Sequence, residues 1–414
     1  MRNKKFIRNS IKLIKIIMFY LGIQIMKVYI EVGGGLRCNR CNNDDLDLFY
    51  NDRGKYYCRK CVMFGRVDVD SEIKIVKLKE VKKQAKLELG YELSNEQLRC
   101  YKELTEYLNL GNDVFLHAAC GAGKTEIAMK LIEDLVNKKK KVCFAIARRQ
   151  VVLEIHERLN KAFKNLKVVK ICEGFTKEFD GDIVVCTMHQ LNRYYKSFDV
   201  LILDEVDAFP FKGNEVLENI ANNVYLDNKI YLSATVDNNL KTKILKNEIK
   251  VVKLYQRYHG YKIPEPKVIL APFFNCIILL YLLYKYKDKK MIVFVPTRKL
   301  AKELKIITNI IRKCEYITST SIDKDYVIKR FRNDEVRLLY ATTILERGVS
   351  FIDISVIIYD ASSYVYDISS LIQMSGRVGR HRLFPEGKVI YLCKSLSRGI
   401  IDSIETIKEM NNAM

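Results

Sequence analysis

No apolar run in this sequence reaches the roughly 20 uninterrupted residues that a bilayer-spanning helix needs. The stretch 16–26 follows lysines, as a signal would, but it is too short to span and has no small-residue cleavage site. Residues 1–35 are therefore read as an N-terminal extension; surface attachment by an amphipathic segment and a start at Met18 or Met26 both stay open. Nothing repeats with a period of 20 to 50 residues, which excludes solenoid arrays. Histidines number five, and His189 has no second histidine at ligand spacing, so it reads as a packing or strand-contact residue. Acidic residues are also scarce: 49 stand against 71 lysines and arginines, a net charge of +22 spread over the whole chain. Such a field suits a phosphate-rich partner, although the lysine-rich composition of an AT-rich genome would also produce it. The 414 residues, 49% of them hydrophobic, exclude wholesale disorder and leave room for two or three domains.

Twelve cysteines are present. Cys143, Cys186, Cys276 and Cys393 lie within apolar runs, as buried thiols do in a reducing compartment. Cys38, Cys41, Cys58 and Cys61 differ, because their C-x2-C-x16-C-x2-C spacing fits a tetrahedral zinc site with four thiolates. A disulfide pair is the alternative, and no secretion signal accompanies it. A closed thiolate shell leaves no open position for catalysis, so the metal is expected to be structural in a ribbon over 36–66, with a hairpin around 46–57. Arg37, Arg40, Arg59 and Lys60 either grip DNA there, or the ribbon docks a protein.

Residues 118–125, Ala-Ala-Cys-Gly-Ala-Gly-Lys-Thr, sit between a strand-like stretch (113–117) and a helix-like one (126–132). That context turns a glycine-rich loop into a phosphate cradle: Gly121, Ala122 and Gly123 bring backbone amides close, Lys124 meets the β/γ oxygens, and Thr125 meets magnesium. The strict pattern has glycine where Ala118 stands. About 80 residues later an aliphatic strand ends at Asp204-Glu205. Asp204 is expected to hold magnesium and Glu205 to polarise the attacking water, the two further parts that phosphoryl transfer needs.

Strands at 114–116, 141–147, 182–186, 200–204 and 229–233 alternate with helices such as 128–137 and 151–163, which predicts a doubly wound parallel sheet. A proline-marked segment precedes a second alternating series, with strands near 291–295, 336–340, 356–359 and 388–392. The expected organisation is ribbon 36–66, lysine- and glutamate-rich linker 67–92, first α/β domain 93–260, hinge 261–272 and second α/β domain 273–414. The run 273–286 has the length of a buried helix.

Gln97, the phosphate loop, Asp204-Glu205, Ser233-Ala234-Thr235, Thr297-Arg298, the stretch 341–349 and Gln373-Met-Ser-Gly376-Arg377-Val378-Gly379-Arg380 stand in the order found in superfamily 2 helicases, which the chain resembles over residues 93–392. The resemblance implies two RecA-like domains that bind ATP and Mg2+. By position, Gln97 resembles the adenine-reading glutamine, Glu126 and Gln373 join the nucleotide site, and Arg377 and Arg380 resemble arginines that reach the γ-phosphate from the second domain. Arg149, Thr187, Thr297, Arg298 and Thr342 resemble strand contacts, and Ser233 and Thr235 the coupling motif, which Val236 follows where proline is usual.

An N-terminal four-cysteine ribbon, Asp204-Glu-Val-Asp-Ala-Phe-Pro210 and Arg257-Tyr-His259-Gly260 together resemble the ComFA family of late competence proteins. That likeness implies an ATP-driven translocase on single-stranded DNA, cytoplasmic or peripheral at the inner face of the membrane, with a ComFC-like protein and a DNA-uptake channel as partners. A primosomal or repair helicase is the competing enzyme reading, for whose extra wedge domains 414 residues leave little room. A DNA-binding adaptor with an inactive motor conflicts with the intact Lys124, Asp204, Glu205, Arg377 and Arg380, and an RNA helicase stays open until a 2′-hydroxyl contact is known.

Overall fold

The computed structural model describes residues 23–27, 29–32, 35–69, 72–346, 349 and 351–414; most of the 16–26 stretch, together with Arg347 and Gly348, lies outside them. Two parallel sheets dominate. The first has seven strands in the order Ile249–Leu254, Asp113–Ala118, Tyr225–Ser233, Phe198–Asp204, Val142–Ile146, Ile183–Thr187, Val168–Ile171. The second has six: Lys267–Leu270, Val389–Cys393, Ile354–Tyr359, Lys290–Phe294, Leu338–Ala341, Cys314–Ile317. Every pairing in both is parallel.

Strands covered on both faces need apolar residues at every position. Val114 and Leu116 enter one core with the helices Lys124–Asn137 and Arg149–Ala162, while Phe115 enters the other with Leu217 and Ile220 of the helix Glu215–Asn222. The second lobe repeats this: Ile292 and Phe294 face one cluster, Met291, Val293 and Val295 the other. The C-terminal helix Arg398–Asn412 joins the lobes, because Ile400 packs in the second and Ile407 and Met410 in the first. Asn411 fixes this bridge through a reciprocal pair of bonds with the backbone of Ile263, each 2.9 Å.

The five strands expected in the first domain and the four in the second all form, with ends shifted by a few residues. Within these two sheets the unforeseen strands are Val168–Ile171, Ile249–Leu254, Lys267–Leu270 and Cys314–Ile317, all at the edges. Lys267–Leu270 lies inside the expected hinge. The expected linker is strapped to the first lobe: Val81 and Ala85 are buried in its core, and the backbone amides of Ala85 and Leu87 donate to Asn137 Oδ1 and Glu133 Oε1 at 2.7 Å. The helix Asn275–Lys285 is only half covered, since Leu279, Leu282 and Leu283 are buried but Ile277, Tyr281 and Tyr284 are exposed.

Candidate nucleotide site and cysteine cluster

The phosphate loop leaves the strand Asp113–Ala118 and winds into the helix Lys124–Asn137. Gly121 (φ 82°) and Gly123 (φ 92°) take left-handed conformations that a side chain would strain. Gly123 is further required because a Cβ there would lie 2.1 Å from Gln97 Nε2. Ala118, at the departure from the strict motif, is fully buried, its methyl part of the core.

Gln97 is buried and uses both ends of its amide. Its Oε1 accepts from Ser94 N (2.9 Å), which closes a capping box on the helix Asn95–Asn109, and its Nε2 donates to Ala122 O (3.0 Å). Lys124 Nζ lies 3.6 Å from Asp204 Oδ1. Burial pulls the Lys124 ammonium down, but Asp204, Glu205 and Asp207 outweigh it and hold its pKa above the ordinary lysine value. Glu205 has φ 57°, a left-handed backbone rare outside glycine, and donates its N–H to Leu232 O (3.0 Å).

These residues line one cleft of about 980 Å³ between the lobes: Gln97, Gly121, Gly123, Lys124, Thr125, Glu126, Asp204 and Glu205 from the first, Gln373 and Arg380 from the second. Ala122 and Arg377 are buried and do not line it. The lobes touch closely here. Gln373 Oε1 accepts from Cys120 Sγ (3.2 Å), and a Cβ on Gly376 would collide with Cys120 Cβ at 2.3 Å. Arg380 reaches the phosphate loop, its Cγ 3.5 Å from a Cβ position on Gly121. Arg377 is buried, donates Nε to Glu346 O (3.2 Å), and is pushed down to about 9 by burial and then by the Arg380 charge. Glu126 forms one edge, paired with Arg158 (2.5 Å) and accepting from Tyr91 Oη (3.0 Å). Lys124 and Arg380 facing Asp204 and Glu205 about one cavity suit a metal-bound polyphosphate, and Thr125 with Asp204 offers the hard oxygens that Mg2+ takes.

Ser233 and Thr235 sit one step away. Ser233 Oγ accepts from Thr235 N (3.1 Å), and Thr235 Oγ1 donates to Asp207 Oδ2 (2.8 Å), which also accepts from Ser369 Oγ of the second lobe. The expected strand contacts do not line the cleft. They occupy C-terminal ends of central strands: Arg149 after Val142–Ile146, Thr187 ending Ile183–Thr187, Thr297 and Arg298 after Lys290–Phe294, Thr342 after Leu338–Ala341. Arg149, Thr297 and Arg298 are exposed, Thr342 is half-buried and Thr187 is buried. Between these rows Arg148 pairs with Glu346 (2.5 Å) across the lobes. Asp207, Arg148, Glu346 and Ser369 were not foreseen, because their partners lie far away in sequence.

In the cysteine cluster the four Sγ atoms lie within 4.8 Å of one another, with Cys38 to Cys61 and Cys41 to Cys58 both at 3.7 Å. A tetrahedron with metal–sulfur bonds of about 2.3 Å has edges close to 3.8 Å. The thiols therefore fit a zinc ion. Arg40 is taken up by this cluster, donating to Cys61 Sγ (3.1 and 3.2 Å), Cys61 O (2.8 Å) and Gly65 O (2.9 Å). Lys60 pairs with Glu215 of the first lobe (2.9 Å). Arg40 is thereby withheld from DNA, whereas Arg59 is exposed over the Tyr50 ring (5.8 Å).

Residues 10–75 match the competence protein ComFA N-terminal domain, 90–238 the type III restriction enzyme res subunit, and 275–382 the helicase conserved C-terminal domain. The chain is 33% identical over 394 residues to competence protein ComFA of Streptococcus pneumoniae, covering 91% of each. The chain belongs to the ComFA family. ComFA of Bacillus subtilis is 32% identical, with 91% of this chain and 85% of the relative covered. Among solved structures, Saccharomyces cerevisiae Dbp5 bound to RNA and ADP BeF3 shares the fold at TM-score 0.56 and 16% identity, covering 78% of this chain and 92% of that one. Mycobacterium smegmatis helicase Lhr bound to ssDNA and AMP-PNP has the same TM-score and identity, covering 77% and 50%. This ComFA-family chain is thus a superfamily 2 ATPase of helicase type with two RecA-like domains. Among its described residues no helix is long and apolar enough to cross a membrane.

Proposed function

We propose that the protein is an ATP-driven translocase on single-stranded DNA that works in the uptake of transforming DNA. The observation that carries this reading is Arg380 of the second lobe against the phosphate loop of the first, which makes one cleft out of residues from both lobes. Lys124 and the loop amides bind the β/γ-phosphates; Gln97 orients the base; Glu205 holds the attacking water and receives its proton. Thr125 and Asp204 would hold Mg2+, which neutralises phosphate charge when bound. Arg377 and Arg380 stabilise the negative charge that develops on the transferred phosphoryl. Hydrolysis removes the group these arginines share with Lys124, so the lobes part and rejoin one step along the strand. Arg149, Thr187, Thr297, Arg298 and Thr342, at matching strand ends on both lobes, hold its backbone. Cys38, Cys41, Cys58 and Cys61 hold zinc and thereby fold the ribbon.

The family's place in competence supports DNA as the polymer, with a ComFC-like protein and an uptake channel at the inner membrane face as partners. The test is ATP hydrolysis without nucleic acid and with single-stranded DNA, duplex DNA or RNA, beside Lys124→Ala. Stimulation by single-stranded DNA that is absent in the variant supports the motor; no hydrolysis with any polymer sinks it.

A further inference from the structure

Arg257 follows Ile249–Leu254, the last strand of the first sheet to appear in the chain, and leads toward the second lobe. It is among the most completely buried large side chains, 1% exposed. Its donors meet four backbone carbonyls: Nε to Cys120 O (3.0 Å), Nη1 to Val378 O and Gly379 O (2.8 Å each), Nη2 to Gly376 O (3.1 Å). The first carbonyl belongs to the phosphate loop, and the other three belong to the loop that carries Arg377 and Arg380. A guanidinium offers five N–H donors in a planar fork, enough for four carbonyls on two loops, whereas a lysine ammonium has three donors on one nitrogen. The fit leaves little slack, since a Cβ on Gly379 would lie 3.2 Å from Arg257 Nη1 and one on Gly121 3.7 Å from Nε. Adjacent residues reinforce the contact: a ring nitrogen of His259 lies 3.0 Å from Gly379 O, and Tyr258 Oη donates to Arg380 O (3.2 Å). Burial, then the charge of Arg380, lowers the Arg257 pKa to about 10.

We propose that Arg257 is a positioning residue for ATP hydrolysis, holding the phosphate loop and the 376–380 loop on one guanidinium so that Arg377 and Arg380 stand at fixed places relative to the nucleotide. When the lobes part, the guanidinium gives up three of its four carbonyls, and the arginine loop loses its register with the phosphates. This rests on the motor reading above.

The test uses the full-length protein with Arg257→Gln, Arg257→Lys and the milder His259→Ala, and reads DNA-stimulated ATP hydrolysis beside amide hydrogen exchange of the 376–380 loop. Small misplacements of catalytic groups cost on the order of 100-fold in rate. Arg257→Gln is therefore expected to lower kcat by about 30-fold or more with KM for ATP within about threefold, and His259→Ala to lower kcat by about threefold. Exchange in the 376–380 loop should quicken by about tenfold while the rest of the protein keeps its protection. Wild-type kcat in Arg257→Gln, full recovery in Arg257→Lys, or a uniform rise of exchange would each overturn the proposal. If the wild-type protein hydrolyses no ATP, the motor reading fails, and localised against unchanged exchange still decides whether Arg257 positions the loop.

Discussion

Around Cys38, Cys41, Cys58 and Cys61 the buried apolar side chains are the thiols themselves, and the apolar residues packed on them, Leu36, Phe49, Phe64, Val67, Val69 and Val216 of the first lobe, are only partly buried. Each lobe is built the other way, with two aliphatic and aromatic clusters closing over both faces of a parallel sheet. A small module that buries so little apolar surface needs a staple, which a metal on the four thiolates would supply. The lobes need none, which leaves their polar groups available for the cleft. Structural chemistry and catalytic chemistry are thus separated in space, and the two regions can be perturbed independently.

The largest effect should come from taking the metal away. Zinc binding to four thiolates contributes about 10 kcal/mol or more to the folding of such modules. Chelation, or Cys58→Ser, is expected to abolish the ribbon transition in calorimetry while the main transition of the lobes stays. Loss of both transitions together would contradict the separation drawn above.

Next in size is Lys124→Ala, which should lower ATP turnover by about 100-fold or more, the scale on which phosphate-binding charges act. Zinc content, measured on the same sample, should not change. The residues behind this prediction were legible in the sequence because a phosphate loop is a local object: eight consecutive residues specify the turn, the helix start and the lysine. The strand ending in Asp204-Glu205 was equally plain. What stayed hidden depends on contacts between distant segments. Arg257 meets residues 119 to 122 positions away in sequence, and Asp207 meets Ser369. No spacing announces such pairs. Edge strands escaped for another reason: Lys267–Leu270 exposes both of its ends, so it lacks the continuous apolar signature of a central strand. Val81 and Ala85, two small side chains among lysines, carried too little pattern to reveal that the 77–92 strap is docked. The even apolar run at 275–285 concealed the opposite fact, that one face of its helix is exposed.

A third perturbation separates the regions by pH. The half-buried His117 has its ring nitrogens 3.1 Å from Ala234 O and 3.0 Å from Tyr255 Oη, and burial lowers its pKa to about 4. Its folded pKa lies below the unfolded value near 6.5, so between those values the unfolded chain binds more protons. Stability from neutral His117 is therefore complete above about pH 6.5 and is lost as pH falls toward 4, by about 3 kcal/mol at most. Denaturation midpoints of the main transition compared with His117→Gln should show wild type losing more stability over that window. Parallel pH profiles would reject this assignment.

The smallest effect concerns the seam between the two regions. Asn223, just after the helix Glu215–Asn222, donates from its amide to Asn39 O (2.8 Å) and Arg40 O (3.4 Å) and accepts from Asn42 Nδ2 (3.3 Å). The Lys60–Glu215 pair beside it is worth little, because Glu215 is 70% exposed and water screens the charges. Net hydrogen-bond contributions are near 1 kcal/mol each, so Asn223→Ala should weaken docking of the ribbon by about 1 to 2 kcal/mol and Glu215→Ala by less than about 1 kcal/mol. Both variants should keep zinc and keep basal ATP turnover. The change should be confined to faster proteolysis or hydrogen exchange within residues 36–69, greater for Asn223→Ala. If Asn223→Ala instead shifts the ATPase, the seam transmits force, and the ribbon belongs to the motor and is not merely carried by it.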